Sequence, residues 1–324
     1  VTTGPLRVEI QRRPVPTAGN GEVLVSVESV GVCGTDAHIW AGEYPAASLP
    51  LVQGHEIAGR AGDDLVVVEP ALSCGRCYAC RNGRPNACAR SSVLGVHLDG
   101  ALTETIVVPA DRVHAAPGLT APTAAMVEPT AIALQAVARS HARAGAFALV
   151  LGCGPIGLLA ARALADRGVR VAAIDREPHR AERARRFGAE FARAATDGAG
   201  VEIVEWAERE GPSVVIEATG APSALATALD LVVSAGRVVA VGISTAEARL
   251  SMSLLPYKEL DLVGSRNSRA LFPAAIDFVA RHRTLVENLI THRFALERVP
   301  EAFVLAHDGD PNLGKILIEV AGHG

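Results

Sequence analysis

The 324-residue sequence predicts an α/β protein, in which a doubly wound parallel sheet follows a strand-rich, loop-rich region. Two observations predict it. From about residue 145 to 264, continuous apolar strands alternate with helical stretches, the pattern of a parallel sheet covered on both faces. Residues 1 to about 131 instead hold most of the 19 prolines and five of the six cysteines. The length suits two domains.

The elements follow in order. Strand-like runs at 22–27, 65–68 and 103–108 are short and bounded by Gly or Pro, as in an all-β region. Residues 147–151 form the first apolar strand of the alternating zone, and 156–167 an amphipathic helix. A strand at 169–174 is followed by a charged helix at 181–187 that ends at Gly188. Segments 213–217, 223–233, 237–241 and 260–263 continue the alternation. The tail adds a helix at 273–283 and a strand at 315–320.

Composition excludes several functions. With 49% hydrophobic and 20% charged residues, the chain is too apolar to be disordered. A net charge of −4 gives no general attraction to nucleic acid or anionic membranes. The 18 residues 144–161 carry no charge, the length of a membrane span. Gly145, Gly152, Gly154, Pro155 and Gly157 would leave its backbone unpaired in lipid, so a span is rejected. Charges at Arg7 and Glu9 leave no apolar core for a secretory signal, so a cytoplasmic protein is expected.

Gly152-Cys153-Gly154-Pro155-Ile156-Gly157 is a G-x-G-x-x-G placed directly after a strand. The glycines allow a tight turn, close approach of a pyrophosphate and close helix–strand packing, and the helix N-terminus offers N–H groups to phosphate. Asp175 ends the next strand, where a carboxylate accepts from the ribose hydroxyls and repels a 2′-phosphate. NAD is therefore favoured over NADP, a preference that the neighbouring Arg176 weakens.

Cys74-x2-Cys77-x2-Cys80-x7-Cys88 has the spacing of a closed tetrahedral zinc site, hence a structural one. Cys33, the pair His55-Glu56, and Glu128 are more dispersed. By themselves a buried cysteine, a core histidine and two acids explain them.

Taken together, the motifs resemble the zinc-dependent medium-chain alcohol dehydrogenase family in its polyol (sorbitol) dehydrogenase branch. They are Gly31-Val-Cys-Gly-Thr-Asp-Ala-His38, Gly54-His-Glu56, the four-cysteine loop, Gly95-Val-His-Leu-Asp-Gly100, Glu128-Pro129, Gly152–Gly157 and Val215-Ile-Glu-Ala-Thr-Gly220. The resemblance implies a GroES-like catalytic domain from residues 1–131 and 265–324, with a Rossmann cofactor domain, 132–264, inserted in it. It implies a catalytic zinc on Cys33, His55 and Glu128, with Glu56 as a neighbouring or alternating ligand, and Thr35 and His38 as a proton relay. It also places Arg266 near the substrate. Residues 258–267 resemble sugar-acid dehydrogenases such as L-galactonate and L-gulonate 5-dehydrogenases. His97 and Asn267 are read either as pocket neighbours or as fold residues.

The implied activity is oxidation of a secondary alcohol of a polyol or sugar acid to a ketone, with hydride transfer to NAD. A threonine-type or simple alcohol dehydrogenase is the alternative within the family. A nucleic-acid-binding zinc module is the alternative outside it, with Arg76, Arg81, Arg84 and Arg90 as its only basic support. The expected partners are a small-molecule alcohol and further copies of the chain, as a homodimer or homotetramer, with no nucleic acid or membrane. One departure stands out: the interval between Glu56 and Cys74 is about a dozen residues shorter than the family pattern.

Overall fold

An 11-residue strand, β1 (Glu22–Val32), delivers Cys33 to the start of the helix α1 (Gly34–Ala41). In the computed structural model, which describes residues 1–320, the chain divides into two units. One is Val1–Ala131 with the stretch from Arg269 onward; the other is Ile132–Ser268. The strand expected at 22–27 thus extends five residues further, since its Val27, Val30 and Val32 all enter a core.

β2 (Glu56–Ala61) and β3 (Asp64–Val68) form an antiparallel hairpin closed by Gly62 and Asp63. The short interval before Cys74 is therefore a continuous hairpin with a tight turn. β4 (Thr105–Pro109) pairs with the first half of β1, and β5 (Val113–Ala115) with β3. Helix α2 (Val127–Ser140), which the sequence pattern did not suggest, begins in the first unit and ends in the second.

The second unit reads β6 (Phe147–Leu151), α3 (Pro155–Ala165), β7 (Arg170–Asp175), α4 (Pro178–Arg186), β8 (Ala189–Ala194) and α5 (Ala199–Trp206). It continues through β9 (Val214–Glu217), α6 (Pro222–Leu231), β10 (Arg237–Ala240), α7 (Leu254–Lys258) and β11 (Asp261–Gly264). All strands are parallel, in the order β8-β7-β6-β9-β10-β11. The order reverses direction between β6 and β9, and doubly wound sheets bind ligands at the strand ends there. Proline in the first turn of α3, α4 and α6 presets the helical φ where no intrahelical N–H is needed. This explains why α4 starts three residues before the helix expected at 181. Lys258 caps α6, donating to the carbonyls of Leu229, Asp230 and Val232 at 3.2, 2.6 and 3.0 Å.

The chain closes with α8 (Phe272–Arg281), β12 (Ile290–Ala295), α9 (Val299–Asp308) and β13 (Lys315–Glu319). β13 pairs antiparallel with β1, so the two ends of the sequence share one seven-stranded sheet ordered β12-β13-β1-β2-β3-β5, with β4 on β1. Its core packs Val25, Val30, Ile57, Val68, Phe303, Ile316 and Ile318; the parallel sheet packs Leu149, Ala172, Ile203, Val215, Leu229 and Val238. Each large aliphatic side chain so buried contributes about 1.5–3 kcal/mol. No helix among the described residues is long and apolar enough to cross a membrane.

Candidate active site

Gly31 of β1 lies opposite Glu56 of β2. A Cβ on residue 31 would fall 1.8 Å from Glu56 Oε2, so only glycine lets this carboxylate fold across the strand pair. Glu56 is buried and accepts from Lys315 Nζ at 2.5 Å on Oε1 and 2.8 Å on Oε2; Lys315 also donates to the Val32 carbonyl at 3.2 Å. The pairing of β13 with β1 is what brings this buried lysine in. Both charges are tolerated because each satisfies the other; removing one leaves an uncompensated ion.

Cys33, His55 and Glu56 place a sulfur, a ring nitrogen and a carboxylate oxygen within 4.8 Å of one another. Asp36 organises them. Its Oδ2 accepts from the Cys33 backbone N–H at 2.9 Å, half of the capping box that starts α1. Its Oδ1 accepts from the Gly54 N–H at 3.3 Å and faces His55 Nδ1 at 3.6 Å. Burial opposes the charge on Asp36, but His55 and these N–H groups outweigh it and hold its pKa below the usual value. Burial likewise depresses His55, yet Asp36 and Cys33 raise it well above the ordinary histidine range.

His55 Nδ1 is buried without a hydrogen-bond partner. With that nitrogen turned to Asp36, Nε2 is the one left for a ligand bond, the arrangement of metal-bound histidines backed by a carboxylate. Cys33, His55 and a carboxylate are a donor set that zinc accepts. Glu128, in the first turn of α2, lies outside the 4.8 Å group but within the electrostatic reach of its members. Burial pushes its pKa up to about 7; His55 and Lys315 pull against this while Glu56 and Asp36 reinforce it.

The Thr35 hydroxyl sits 3.8 Å from Cys33 Sγ. His38 is on the outer face of α1, its side chain 59% exposed, with Nδ1 2.8 Å from Glu43 Oε2. His97 Nδ1 accepts from the Val93 N–H at 3.2 Å, a contact that shapes its own turn.

The four sulfurs of Cys74, Cys77, Cys80 and Cys88 also lie within 4.8 Å of one another. The separations are 3.5 Å for Cys77–Cys80, 3.7 Å for Cys77–Cys88 and 3.5 Å for Cys74–Cys88. A tetrahedron of thiolates at ~2.3 Å from zinc has edges of ~3.8 Å, so the loop already has the right size. Backbone N–H groups of Cys74 and Arg90 point at Cys88 Sγ, each at 3.3 Å. The Arg76 N–H leads the groups that lower the Cys74 thiol to about 5. Burial and the neighbouring Cys77 and Cys88 instead push the Cys80 thiol up to about 11.

In the second unit, a Cβ on Gly157 would fall 1.8 Å from the Gly152 carbonyl, while one on Gly154 would meet nothing within 4 Å. The turn is thus tight at its base and open where the α3 N-terminus begins, as a pyrophosphate seat requires. Asp175 ties the turn to β7. Its Oδ2 accepts from the Cys153 N–H at 2.7 Å and its Oδ1 from the Glu177 N–H at 2.9 Å. Each oxygen keeps a lone pair for a ribose hydroxyl. Arg176 follows it, exposed. Burial and Asp175 push the Cys153 thiol up to about 12, so it is an inert turn residue. Pro155 and Ile156 form the first turn of α3, and Arg266 is exposed just beyond the C-terminal end of β11.

Sequence reasoning assigned no role to Asp36 or Lys315. Asp36 lies within the Gly31–His38 motif, whose pattern gives it no distinct signal. Lys315 had one signal, a lone cation heading the apolar run Ile-Leu-Ile.

Residues 19–118 match the alcohol dehydrogenase GroES-like domain, and residues 155–281 match the zinc-binding dehydrogenase family. The starvation-sensing protein RspB of Escherichia coli K12 is 34% identical, over 97% of this chain and 96% of its own. L-galactonate-5-dehydrogenase from the same strain is 33% identical, over 90% of both. A crystal structure of the rspB alcohol dehydrogenase from E. coli CFT073, complexed with NADH, superposes with a TM-score of 0.91 at 33% identity. It covers 98% of this chain and 97% of that one.

Proposed function

Because the chain belongs to the zinc-binding alcohol dehydrogenase family, we propose that it oxidises a secondary alcohol of a polyol or sugar acid to the ketone, with NAD as hydride acceptor. The observation that carries this reading is the mixed Cys33–His55–Glu56 cluster, held by a buried aspartate on one side and a buried lysine on the other. The sugar-acid preference is supported by the relative named L-galactonate-5-dehydrogenase. We take residues 1–131 with 265–324 as the catalytic domain and 132–264 as the cofactor domain, in a cytoplasmic homodimer or homotetramer.

Cys33 and His55 would hold the catalytic zinc with Glu128, which stands outside their 4.8 Å group, while Glu56 inside it is the neighbouring or alternating ligand; Cys74, Cys77, Cys80 and Cys88 would hold the structural one. Zinc at the first site supplies Lewis acidity that eases loss of the alcohol proton, and the nicotinamide supplies the hydride acceptor. The protein does the rest. Asp36 orients His55, while Lys315 holds Glu56 as the nearby exchangeable carboxylate. The Thr35 hydroxyl, beside Cys33, would accept the substrate proton as it passes its own onward. From there the proton would leave by way of the cofactor ribose or of His38, which is exposed and bonded to Glu43. Gly152–Gly157 seats the pyrophosphate and Asp175 the ribose, which favours NAD over NADP despite Arg176. Arg266 offers a planar cation to a substrate hydroxyl or carboxylate.

NADH formation across polyols, aldonates, sugar phosphates, L-threonine and simple alcohols tests the reading. Turnover of a polyol or aldonate that disappears in Cys33→Ser supports it. A preference for L-threonine, or activity that persists without metal at Cys33, overturns it.

A further inference from the structure

Gln53, two residues before His55, is almost fully buried and plays no part in the scheme above. Its amide nitrogen donates to the backbone carbonyl of Asp36 at 2.8 Å and toward Asp36 Oδ1 at 3.4 Å. A carbonyl and an ionised carboxylate only accept, so the amide can face Asp36 only through its nitrogen. Its oxygen then accepts from the Thr2 hydroxyl at 2.5 Å. Thr2 is itself buried and is fixed by a reciprocal backbone bridge to Leu51, at 2.8 and 3.0 Å. Every polar atom of the Gln53 amide is therefore used, and its orientation is set from outside the metal cluster.

The atom it reaches is the one that matters. Asp36 Oδ1 accepts from Gln53 and the Gly54 N–H and faces the His55 ring at 3.6 Å, while Oδ2 is taken by the Cys33 N–H. A buried carboxylate turns toward whatever donors surround it, because each unmade hydrogen bond is costly in a low dielectric. The donor from Gln53 thus helps to fix the carboxylate plane, and with it the tilt of His55.

We propose that Gln53, locked by Thr2, is a positioning residue of the Cys33–His55 metal centre, setting the orientation in which Asp36 holds the histidine. The proposal rests on the metal reading above. A methionine at 53 keeps the volume but strips Asp36 of this donor and orphans the Thr2 hydroxyl. A valine at position 2 removes only the lock.

The test uses the full-length protein. Zinc is titrated in competition with a chromophoric chelator, and the visible spectrum is recorded after cobalt(II) substitution. Outer-shell partners of metal ligands typically change affinity by about 10–100-fold. Gln53→Met is expected to weaken the Cys33-dependent zinc by about tenfold and to shift the cobalt bands, leaving the four-cysteine zinc unchanged. Thr2→Val is expected to weaken it about threefold alone and to add nothing in the Gln53→Met background, as for two links of one chain. If Gln53→Met fails to fold, Thr2→Val carries the same test. Zinc affinity and cobalt spectra equal to wild type, with only Tm lowered, would mean that Gln53 merely packs, and would overturn the proposal. A parental protein whose zinc uptake is unaltered by Cys33→Ser would overturn the metal reading itself, and this shows before any Gln53 variant is made.

Discussion

Among the described residues, the first unit contains two places suited to a metal, and they are built in opposite ways. The four-cysteine site uses one kind of donor from one loop, and its sulfurs close a tetrahedron almost without help from the sheet. The Cys33 site uses unlike donors brought from the end of β1 and the start of β2, backed by Asp36 from α1 and Lys315 from β13. A closed set of thiolates satisfies zinc completely and leaves no position for substrate. A mixed set held by buried acids and a base leaves room for chemistry, but only while the surrounding charges keep their places. Stability is local in the one and distributed in the other.

The largest effect should come from interchanging the two losses. Cys33→Ser is expected to lower turnover by about a thousandfold or more, since a Lewis acid supplies several kcal/mol of transition-state stabilisation. It should leave NADH binding and Tm close to wild type, and metal analysis should fall from two zinc to one. Cys77→Ser should also lose one zinc, but with a fall in Tm as its main consequence. Equal effects of both on turnover and Tm would erase the distinction.

Lys315→Met probes the distributed site. It leaves Glu56 buried without its partner, which costs about 3–5 kcal/mol, so urea denaturation should show a clearly lower midpoint. A double variant that also carries Glu56→Gln should recover much of the loss; no recovery would mean that Lys315 matters only as packing.

Asp175→Ser extends the contrast to the second unit. Loss of charge-assisted hydrogen bonds worth about 1.5–3 kcal/mol should raise KM for NAD by about 10–100-fold and bring the NADP/NAD ratio closer to one. An unchanged ratio would remove Asp175 from cofactor selection.

The smallest effect lies on the surface. His307 is 3.5 Å from Glu43 and 3.1 Å from Asp308 and edges against Trp40 of α1, so it links α9 to the helix that starts at Cys33. Hydrogen bonds to Asp308 and Glu43 raise the His307 pKa above 6.5, and those from His38 and His307 lower that of Glu43 below 4.5. The raised histidine stabilises fully below about pH 6.5, and this is lost as pH rises through its folded value. The lowered carboxylate stabilises above about pH 4.5, and this is lost as pH falls through its folded value. His307→Asn should therefore lower Tm by only about 1 °C, because exposed pairs contribute little. The difference should be greatest between about pH 4.5 and 6.5, and a difference independent of pH would point to the Trp40 contact instead.

Local pattern exposed the alternating unit because a parallel strand buried on both faces must be continuously apolar, as β6, β7 and β9 are. It missed β8 and α2 for the converse reason. The strand Ala-Glu-Phe-Ala-Arg-Ala is interrupted by exposed charges at Glu190 and Arg193, and α2 carries a proline in its first turn. Spacing alone identified the four-cysteine loop. The dispersed Cys33, His55 and Glu56 stand out only when several motifs are read together.

The parallel sheet, the glycine turn with its acidic partner, and the four-cysteine loop are legible before folding, because each is encoded in residues close along the chain. Folding alone sets Asp36 between Cys33 and His55, makes room for Glu56 at Gly31, and brings Lys315 from the far end of the chain to neutralise it. Those roles depend on strands that meet after folding, and buried charge is stable only beside the partner that folding supplies.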